Sequence, residues 1–135
     1  MRPPHFVLAI LLVNGRYALQ LRDDRPEIHA PGVWALFGGS RESGEPPARA
    51  IAREIEEELG IRPDPFRLLW EMDNFTPLAG AVGHYWVFEA DATSLWSQHR
   101  LTEGQDAQHF AWEQLPAVTM PPLIREIIER HHSPK

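Results

Sequence analysis

The chain has 135 residues, of which 43% are hydrophobic, and a formal net charge of -6. This length predicts one domain over residues 1–135, and the apolar content is enough for a core, which excludes a disordered chain. The acidic balance disfavours the broad basic face that a nucleic-acid polymer requires. The absence of cysteine excludes disulfides, thiolate chemistry and zinc–cysteine sites. The absence of cysteine also fits the cytoplasm, where we expect the protein, and because no stretch reaches transmembrane length we expect no membrane partner. The sequence does not indicate an oligomeric state.

The amino-terminal third predicts three strands. The apolar run over residues 6–13 ends at Asn14-Gly15, a pattern typical of a strand and a tight turn into a second strand over residues 17–22. A secretion signal is the alternative for the first run, but no small-residue cleavage site follows it. Alternation in the second run predicts a half-buried strand, with Gln20 on its more polar face. A third short strand is expected over residues 33–37.

A helix that begins at proline is predicted next. Pro46-Pro47 suits a helix start because the missing N–H has no partner to lose there, and Gly60 can end the helix with a left-handed cap. At about 100° per residue, one arc of this helix carries small and branched apolar residues and should be its buried face. The residues of that arc are Ala48, Ile51, Ala52, Ile55 and Leu59.

The remaining chain predicts two further strands over residues 66–73 and 82–90, joined by a connection over residues 74–81. A short strand over residues 109–112 precedes a final helix over residues 123–131, which two prolines can open. This order of elements indicates one α/β or α+β domain.

Three carboxylates lie together on the predicted first helix. Glu54, Glu57 and Glu58 fall in one arc of about 100° that adjoins the apolar face. Like charges three and four residues apart repel each other, so a compensating positive charge is expected. A hard divalent cation prefers carboxylate oxygens and would supply it. The alternative is an ordinary solvated acidic face.

The spacing of this segment resembles a known family motif. Gly39, five residues, Glu45, seven residues and then Arg53-Glu54-Ile55-Glu56-Glu57-Glu58-Leu59-Gly60-Ile61 match the Nudix box in full. The segments Trp34 to Gly39 and Phe110 to Pro116 also resemble the flanking parts of that family. The resemblance implies an α/β/α sandwich with a mixed sheet between helices, and hydrolysis of a diphosphate linkage.

The resemblance also implies roles for single residues. Glu54, Glu57 and Glu58 are the expected ligands of Mg²⁺ or Mn²⁺, joined by the Gly38 carbonyl. Glu57 or Glu54 would be the general base, and Arg53, with Glu45 behind it, would orient the carboxylates. The resemblance also implies structural roles around the site for Gly39 and Gly60. Glu103, in a stretch similar to MutT-like members, is a further candidate ligand, with an ordinary loop carboxylate as its alternative.

The substrate is less well defined by the sequence. Compact length favours a MutT-like enzyme acting on nucleoside triphosphates, and the alternatives are ADP-ribose or nucleotide sugars, or a sensor domain that binds a nucleotide without cleaving it. There is no P-loop. Candidate pocket residues, each with a structural role as the alternative, are Gln20, Trp34, Phe37, His84 and Trp86. Phe37 replaces a proline that is usual in the family, so it either packs in the core or lines the pocket.

Overall fold

The computed structural model describes residues 4–22, 33–76, 80–101 and 106–133. The strands in these ranges are β1 (His5–Val13), β2 (Arg16–Leu21), β3 (Trp34–Ala35), β4 (Phe37–Ser40), β5 (Arg67–Thr76), β6 (Ala81–Asp91) and β7 (Asp106–Phe110). The helices are α1 (Pro47–Leu59) and α2 (Pro122–His132), with short 3₁₀ helices at Trp96–Gln98 and Trp112–Ala117. None of the helices described is long and apolar enough to cross a membrane.

One mixed sheet organises these strands. The order along it is β3-β2-β1-β6-β5, with β4 paired to β1 and β7 paired to β2. Strand β1 runs parallel to β6 and antiparallel to β2 and β4. The central strand therefore touches both the segment that leads into α1 and the long β5–β6 hairpin.

Helices cover both faces of the sheet, because successive side chains of a strand point to opposite sides. Val7, Ala9 and Leu11 of β1 pack into the cluster that holds the buried face of α1. Ile10 packs instead into the cluster that contains Ile124 and other apolar residues of α2. This arrangement confirms the predicted α/β/α sandwich with a mixed sheet between helices.

Helix α1 is confirmed, but its buried face is rotated from the prediction. Ile51, Ile55 and Leu59 are fully buried as expected, and Gly60 forms the left-handed cap with φ of 70°. Ala48 and Ala52 are exposed, which contradicts their predicted burial. Ala50 and Glu58 take their place on the buried side. The helix packs on β4 as well as on β1, so its inner face is turned toward the glycine pair at residues 38–39.

Strand β2 also differs from its predicted half-buried pattern. Tyr17, Ala18, Leu19 and Gln20 are all buried. The reason is that β2 lies between strands on both edges, with α1 above one face and α2 below the other. Alternation in the sequence therefore reflected side-chain size and polarity, and both faces of this strand belong to the core.

The other boundaries shift in smaller ways. The strand predicted over residues 33–37 is interrupted at Leu36, so that β3 pairs with β2 and β4 pairs with β1. The hairpin strand β5 continues to Thr76, into the segment predicted as a connection. The strand predicted over residues 109–112 lies earlier, as β7, because Trp112 already begins a 3₁₀ helix.

Candidate active site

Arg53 stands at the centre of the predicted constellation. Its Nε donates to Glu45 Oε2 at 2.8 Å, and its Nη2 donates to Glu45 Oε1 at 2.9 Å. The pair is therefore bidentate, the geometry that a guanidinium and a carboxylate favour. Nη2 also donates to the backbone carbonyl of Ser40 at 3.1 Å. These bonds join α1, the loop before it and the end of β4.

The same guanidinium reaches two of the predicted ligands. Arg53 Nη1 donates to Glu54 Oε2 at 3.1 Å and lies 3.4 Å from both carboxylate oxygens of Glu57. The Glu54 side chain is 15% exposed, whereas that of Glu57 is 59% exposed. Glu57 is thus the carboxylate of this set with the more open approach from solvent.

The Glu45 carboxylate is held in its ionised form. The hydrogen bonds from Arg53 are the main cause, and they lower the pKa of Glu45 to about 2 against the opposing effect of partial desolvation. A further bond from the Glu42 backbone N–H, at 3.1 Å, acts in the same direction. The pKa of Arg53 is raised in turn, chiefly by its hydrogen bonds to Glu45. The pair is a fixed anchor and does not exchange protons in ordinary conditions.

Glu58 faces the glycine pair from the inner side of α1. The residue is 5% exposed, and its Oε1 accepts a hydrogen bond from Gly38 N at 3.2 Å. A Cβ on Gly38 would lie 2.0 Å from the carbonyl oxygen of Val7, and one on Gly39 would lie 2.5 Å from the Glu54 carboxylate. Position 38 therefore requires glycine, because backbone atoms fill the space of a side chain, whereas a side chain at position 39 would displace the Glu54 carboxylate.

The donor chemistry of this region suits a hard cation, since Glu54, Glu57 and Glu58 offer only oxygen atoms. They are not gathered around one point. Within the described ranges, no group of three or more His, Cys, Asp or Glu side chains is arranged to hold a metal ion. Glu103, the further candidate ligand, lies outside the described residues.

A second polar cluster lies on the same side of the sheet, beyond α1. His84 Nδ1 is hydrogen-bonded to Asp73 Oδ1 and His84 Nε2 to Glu71 Oε1, each at 2.8 Å. Hydrogen bonds to Asp73 and then to Glu71 raise the pKa of His84, because both partners are acceptors and favour the doubly protonated ring. His84, Trp86 and His5 line a cleft of about 380 Å³ together with Asp73 and Val82.

The remaining pocket candidates lie elsewhere. Phe37 is fully buried against α1. Of the two roles considered for it, the structure supports packing in the core and not lining the pocket. Gln20 is buried and donates to the Leu36 carbonyl at 3.4 Å. Trp34 packs edge-on against Phe110 in the cluster on the α2 side.

Sequence reasoning missed several residues around the cleft, among them His5, Glu71, Asp73 and Arg41. Glu71 and Asp73 are two residues apart on β5, so their side chains point to the same face of the sheet. This alternation of polar residues is visible in the sequence and would have indicated the shared face. Arg41 was also missed. It follows β4, its guanidinium carbon lies 5.2 Å from the Trp86 ring centre, and its Nη1 donates to the Glu45 carbonyl at 3.0 Å. No feature of the sequence alone pairs Arg41 with Trp86.

Comparison with known proteins agrees with this architecture. A family model described as NUDIX domain matches residues 1–131. The chain is 30% identical to the 8-oxo-dGTP diphosphatase of Escherichia coli (strain K12) over 104 residues, which cover 77% of this chain and 78% of that protein. It is 46% identical over 63 residues to the nucleoside triphosphatase NudI of Enterobacter sp. (strain 638), covering 46% of this chain but only 43% of that protein.

Solved structures show the same fold. The MutT NUDIX hydrolase of Burkholderia pseudomallei superposes with a TM-score of 0.80 at 31% identity, covering 96% of this chain and 98% of that one. The NUDIX domain of Shewanella oneidensis NrtR, solved with ADP ribose, also gives a TM-score of 0.80, at 16% identity and with 98% and 88% of the two chains covered. At that identity the second likeness concerns the fold alone. The family match over nearly the whole chain and the complete motif on α1 establish that this protein belongs to the Nudix hydrolase family.

Proposed function

We propose that this protein is a metal-dependent pyrophosphohydrolase that cleaves nucleoside triphosphates to a nucleoside monophosphate and pyrophosphate. The observation that carries the proposal is the position of Arg53, whose guanidinium contacts Glu45, Glu54 and Glu57. Water would attack phosphorus, the P–O bond to the bridging oxygen would break, and the proton of water would pass to a carboxylate.

The proposed metal site uses oxygen donors that the fold presents near the glycine pair. We assign Mg²⁺ or Mn²⁺ to Glu54, Glu57 and Glu58, with the Gly38 carbonyl and Glu103 as further ligands. When bound, such an ion neutralises phosphate charge and lowers the pKa of its water. The donor set fits, because the fixed Glu45–Arg53 pair sits directly behind two of the three carboxylates and can orient them.

The other roles in the proposed reaction are assigned to individual residues. Glu57 is the better placed base, since its carboxylate is the more exposed, whereas Glu54 is enclosed beside Gly39. Arg53 is a positioning residue that holds the carboxylates in register with the loop. Glu58, buried against Gly38, ties the helix to the end of β4. The relatives named as an 8-oxo-dGTP diphosphatase and a nucleoside triphosphatase support the choice of substrate class.

The test compares Glu57→Gln with a neighbouring control. The purified chain would be incubated with Mg²⁺ and a panel of nucleoside triphosphates, ADP-ribose and nucleotide sugars, and the phosphate, pyrophosphate and nucleotide products would be identified. Glu57→Gln should reduce turnover at least about 100-fold, since it removes a proton acceptor and a proposed ligand. Glu56→Gln is the matched control, because the Glu56 carboxylate lies away from the cluster and accepts a hydrogen bond from Arg62 Nε at 2.6 Å.

Each result has a defined meaning. Release of pyrophosphate from triphosphates, abolished by a chelator and by Glu57→Gln but not by Glu56→Gln, would support the proposal. Cleavage restricted to ADP-ribose or nucleotide sugars would replace the substrate class while keeping the chemistry. Nucleotide binding without turnover of any compound would point to a sensor role and overturn the enzymatic proposal.

A further inference from the structure

The cleft next to the β5–β6 hairpin combines flat rings with acceptor groups. Its volume is about 380 Å³, and its lining consists of His5, Asp73, Val82, His84 and Trp86. His5 pairs with His84 across the parallel β1–β6 ladder, and His84 pairs with Asp73 across the hairpin. Neighbours in register share a face of the sheet, so these side chains form one wall.

The rings of that wall support each other. The ring centres of His84 and Trp86 are 4.5 Å apart with nearly perpendicular planes, and the His5 ring lies 5.3 Å from Trp86. Any nucleotide base can stack on an aromatic side chain, because every base has a π face. Because these rings are tilted by 54° to 76° to one another, a flat heteroaromatic ring can stack on one of them and meet the others edge-on.

The charges along the cleft favour one orientation of a bound nucleotide. Glu71 and Asp73 stand on the hairpin side, and His84 lies between them with each ring nitrogen 2.8 Å from one carboxylate. Two carboxylates beside a single imidazole carry an excess of negative charge, which disfavours phosphate there. Arg41 lies on the other side, over Trp86, and its Nη1 contacts the loop carbonyl of Glu45. The phosphate chain of a nucleotide seated in the cleft would therefore extend past Arg41 toward α1.

We propose that this cleft binds the base of the substrate, with the ring packed against the His5–His84–Trp86 wall and with Asp73 accepting N–H donors from the base edge. The inference rests on the proposed function, since it places the base of that same nucleotide. A carboxylate offers about four acceptor positions, and His84 occupies one on Asp73. The matching base edge carries two adjacent N–H donors, as guanine does. Asp73 is then the specificity-determining residue.

The first experiment measures kcat and KM for GTP and for ITP, which lacks only the 2-amino group. The wild-type protein should prefer GTP by about tenfold in kcat/KM, the loss expected when one hydrogen bond to a charged group is absent. Asp73→Asn should abolish that preference, through a rise in KM for GTP that ITP does not show. The Asp73 side chain is 66% exposed, so this variant folds. Glu126→Gln, on the exposed side of α2, is its matched control.

The second experiment tests the aromatic wall. Trp86→Leu should raise KM for GTP about tenfold, the effect of losing one base–aromatic stack. Trp112→Leu removes an equal ring that stacks on His132 on the other side of the sheet, and it should leave KM unchanged. Urea unfolding of both variants separates a loss of binding from a loss of folded protein.

Binding without catalysis distinguishes the two proposals. GMP would be titrated into the protein without metal, and amide chemical shifts would be followed by NMR. Shifts confined to β5, β6 and the start of β1, and weakened by Asp73→Asn, support the cleft even if no triphosphate is hydrolysed. Hydrolysis of triphosphates with no GTP preference, and with unchanged KM in Asp73→Asn and Trp86→Leu, overturns the cleft and leaves the proposed function standing. Absence of both binding and turnover overturns both.

Discussion

Alanine at the two adjacent glycines should separate the stability of the site from its chemistry. In Gly38→Ala the new Cβ would lie 2.0 Å from Val7 O and 2.9 Å from Leu8 Cα, both of them backbone atoms. Unstrained contact begins near 3.4 Å, so β1 and β4 would have to part by roughly 1.4 Å. In Gly39→Ala the nearest atoms belong instead to the flexible Glu54 carboxylate, at 2.5 Å.

The expected magnitudes follow from those neighbours. Parting the strands breaks ladder hydrogen bonds worth about 1 kcal/mol each, and Gly38 also has φ of +152°, where a side chain adds about 1–3 kcal/mol of strain. We therefore expect Gly38→Ala to lose about 3–5 kcal/mol of unfolding free energy. Gly39→Ala should lose no more than about 1 kcal/mol. Its displaced Glu54 carboxylate should nevertheless reduce turnover about 10–100-fold.

Urea unfolding followed by tryptophan fluorescence, and Mg²⁺-dependent hydrolysis of GTP, would measure the two effects. Gly15→Ala is the control for positive φ alone, because Gly15 has φ of +77° with no atom within 4 Å of the added Cβ. That change should cost about 1–2 kcal/mol. The reasoning would be refuted if Gly38→Ala were as stable as Gly15→Ala, or if Gly39→Ala hydrolysed GTP at the wild-type rate.

Three further predictions concern the anchor, the core and the far side of the sheet. Because the pKa of Glu45 is lowered to about 2, its stabilisation is complete above pH 4.5 and is lost toward pH 2. The difference in unfolding free energy between wild type and Glu45→Gln should therefore be constant from pH 7 to about pH 5 and shrink below that, and a difference independent of pH would contradict this. Ile55→Ala, at a fully buried position of α1, should lose about 2–5 kcal/mol in urea unfolding, whereas Ala52→Ser on the exposed side should change it by less than about 0.5 kcal/mol. Burial first, and then the charge of Glu89, raise the pKa of Tyr17 to about 12, and its hydroxyl is hydrogen-bonded to His131 Nδ1 at 2.8 Å. Ultraviolet titration should lose its most alkaline tyrosine step in Tyr17→Phe, and persistence of that step would assign it to another residue.

The sequence predicted most of what local spacing controls. The Pro46-Pro47 start and Gly60 cap of α1 were readable, because helix ends depend on neighbouring residues. The arc of carboxylates followed from helical geometry in the same way. The rotation of α1 was not readable, since it depends on how the helix packs on β4 and buries Glu58 beside Gly38.

Tertiary pairing was the other limit of the sequence. Gln20 appeared to face a polar side, but strands on both edges of β2 and helices on both faces bury it. His84 and Trp86 were recognised as pocket candidates, yet their partners could not be named. Glu71 and Asp73 reach His84 only through the β5–β6 register, and that register contains a shift between Leu68 and Trp70 that no local pattern reveals.

The division between α1 and the β5–β6 hairpin has a consequence for how this enzyme can change. Among the residues proposed for chemistry, Glu58 lies on the buried inner face of α1, so a substitution there disturbs folding and catalysis together. Near the tip of the hairpin, Phe75 and Val82 face each other in register and are 56% and 52% exposed. Their replacement disturbs little else in the fold. Variants at Asp73, Val82 and His84 should therefore change the nucleotide preference without loss of the fold. In evolution, a duplicated gene for this chain could acquire a new substrate through the same substitutions.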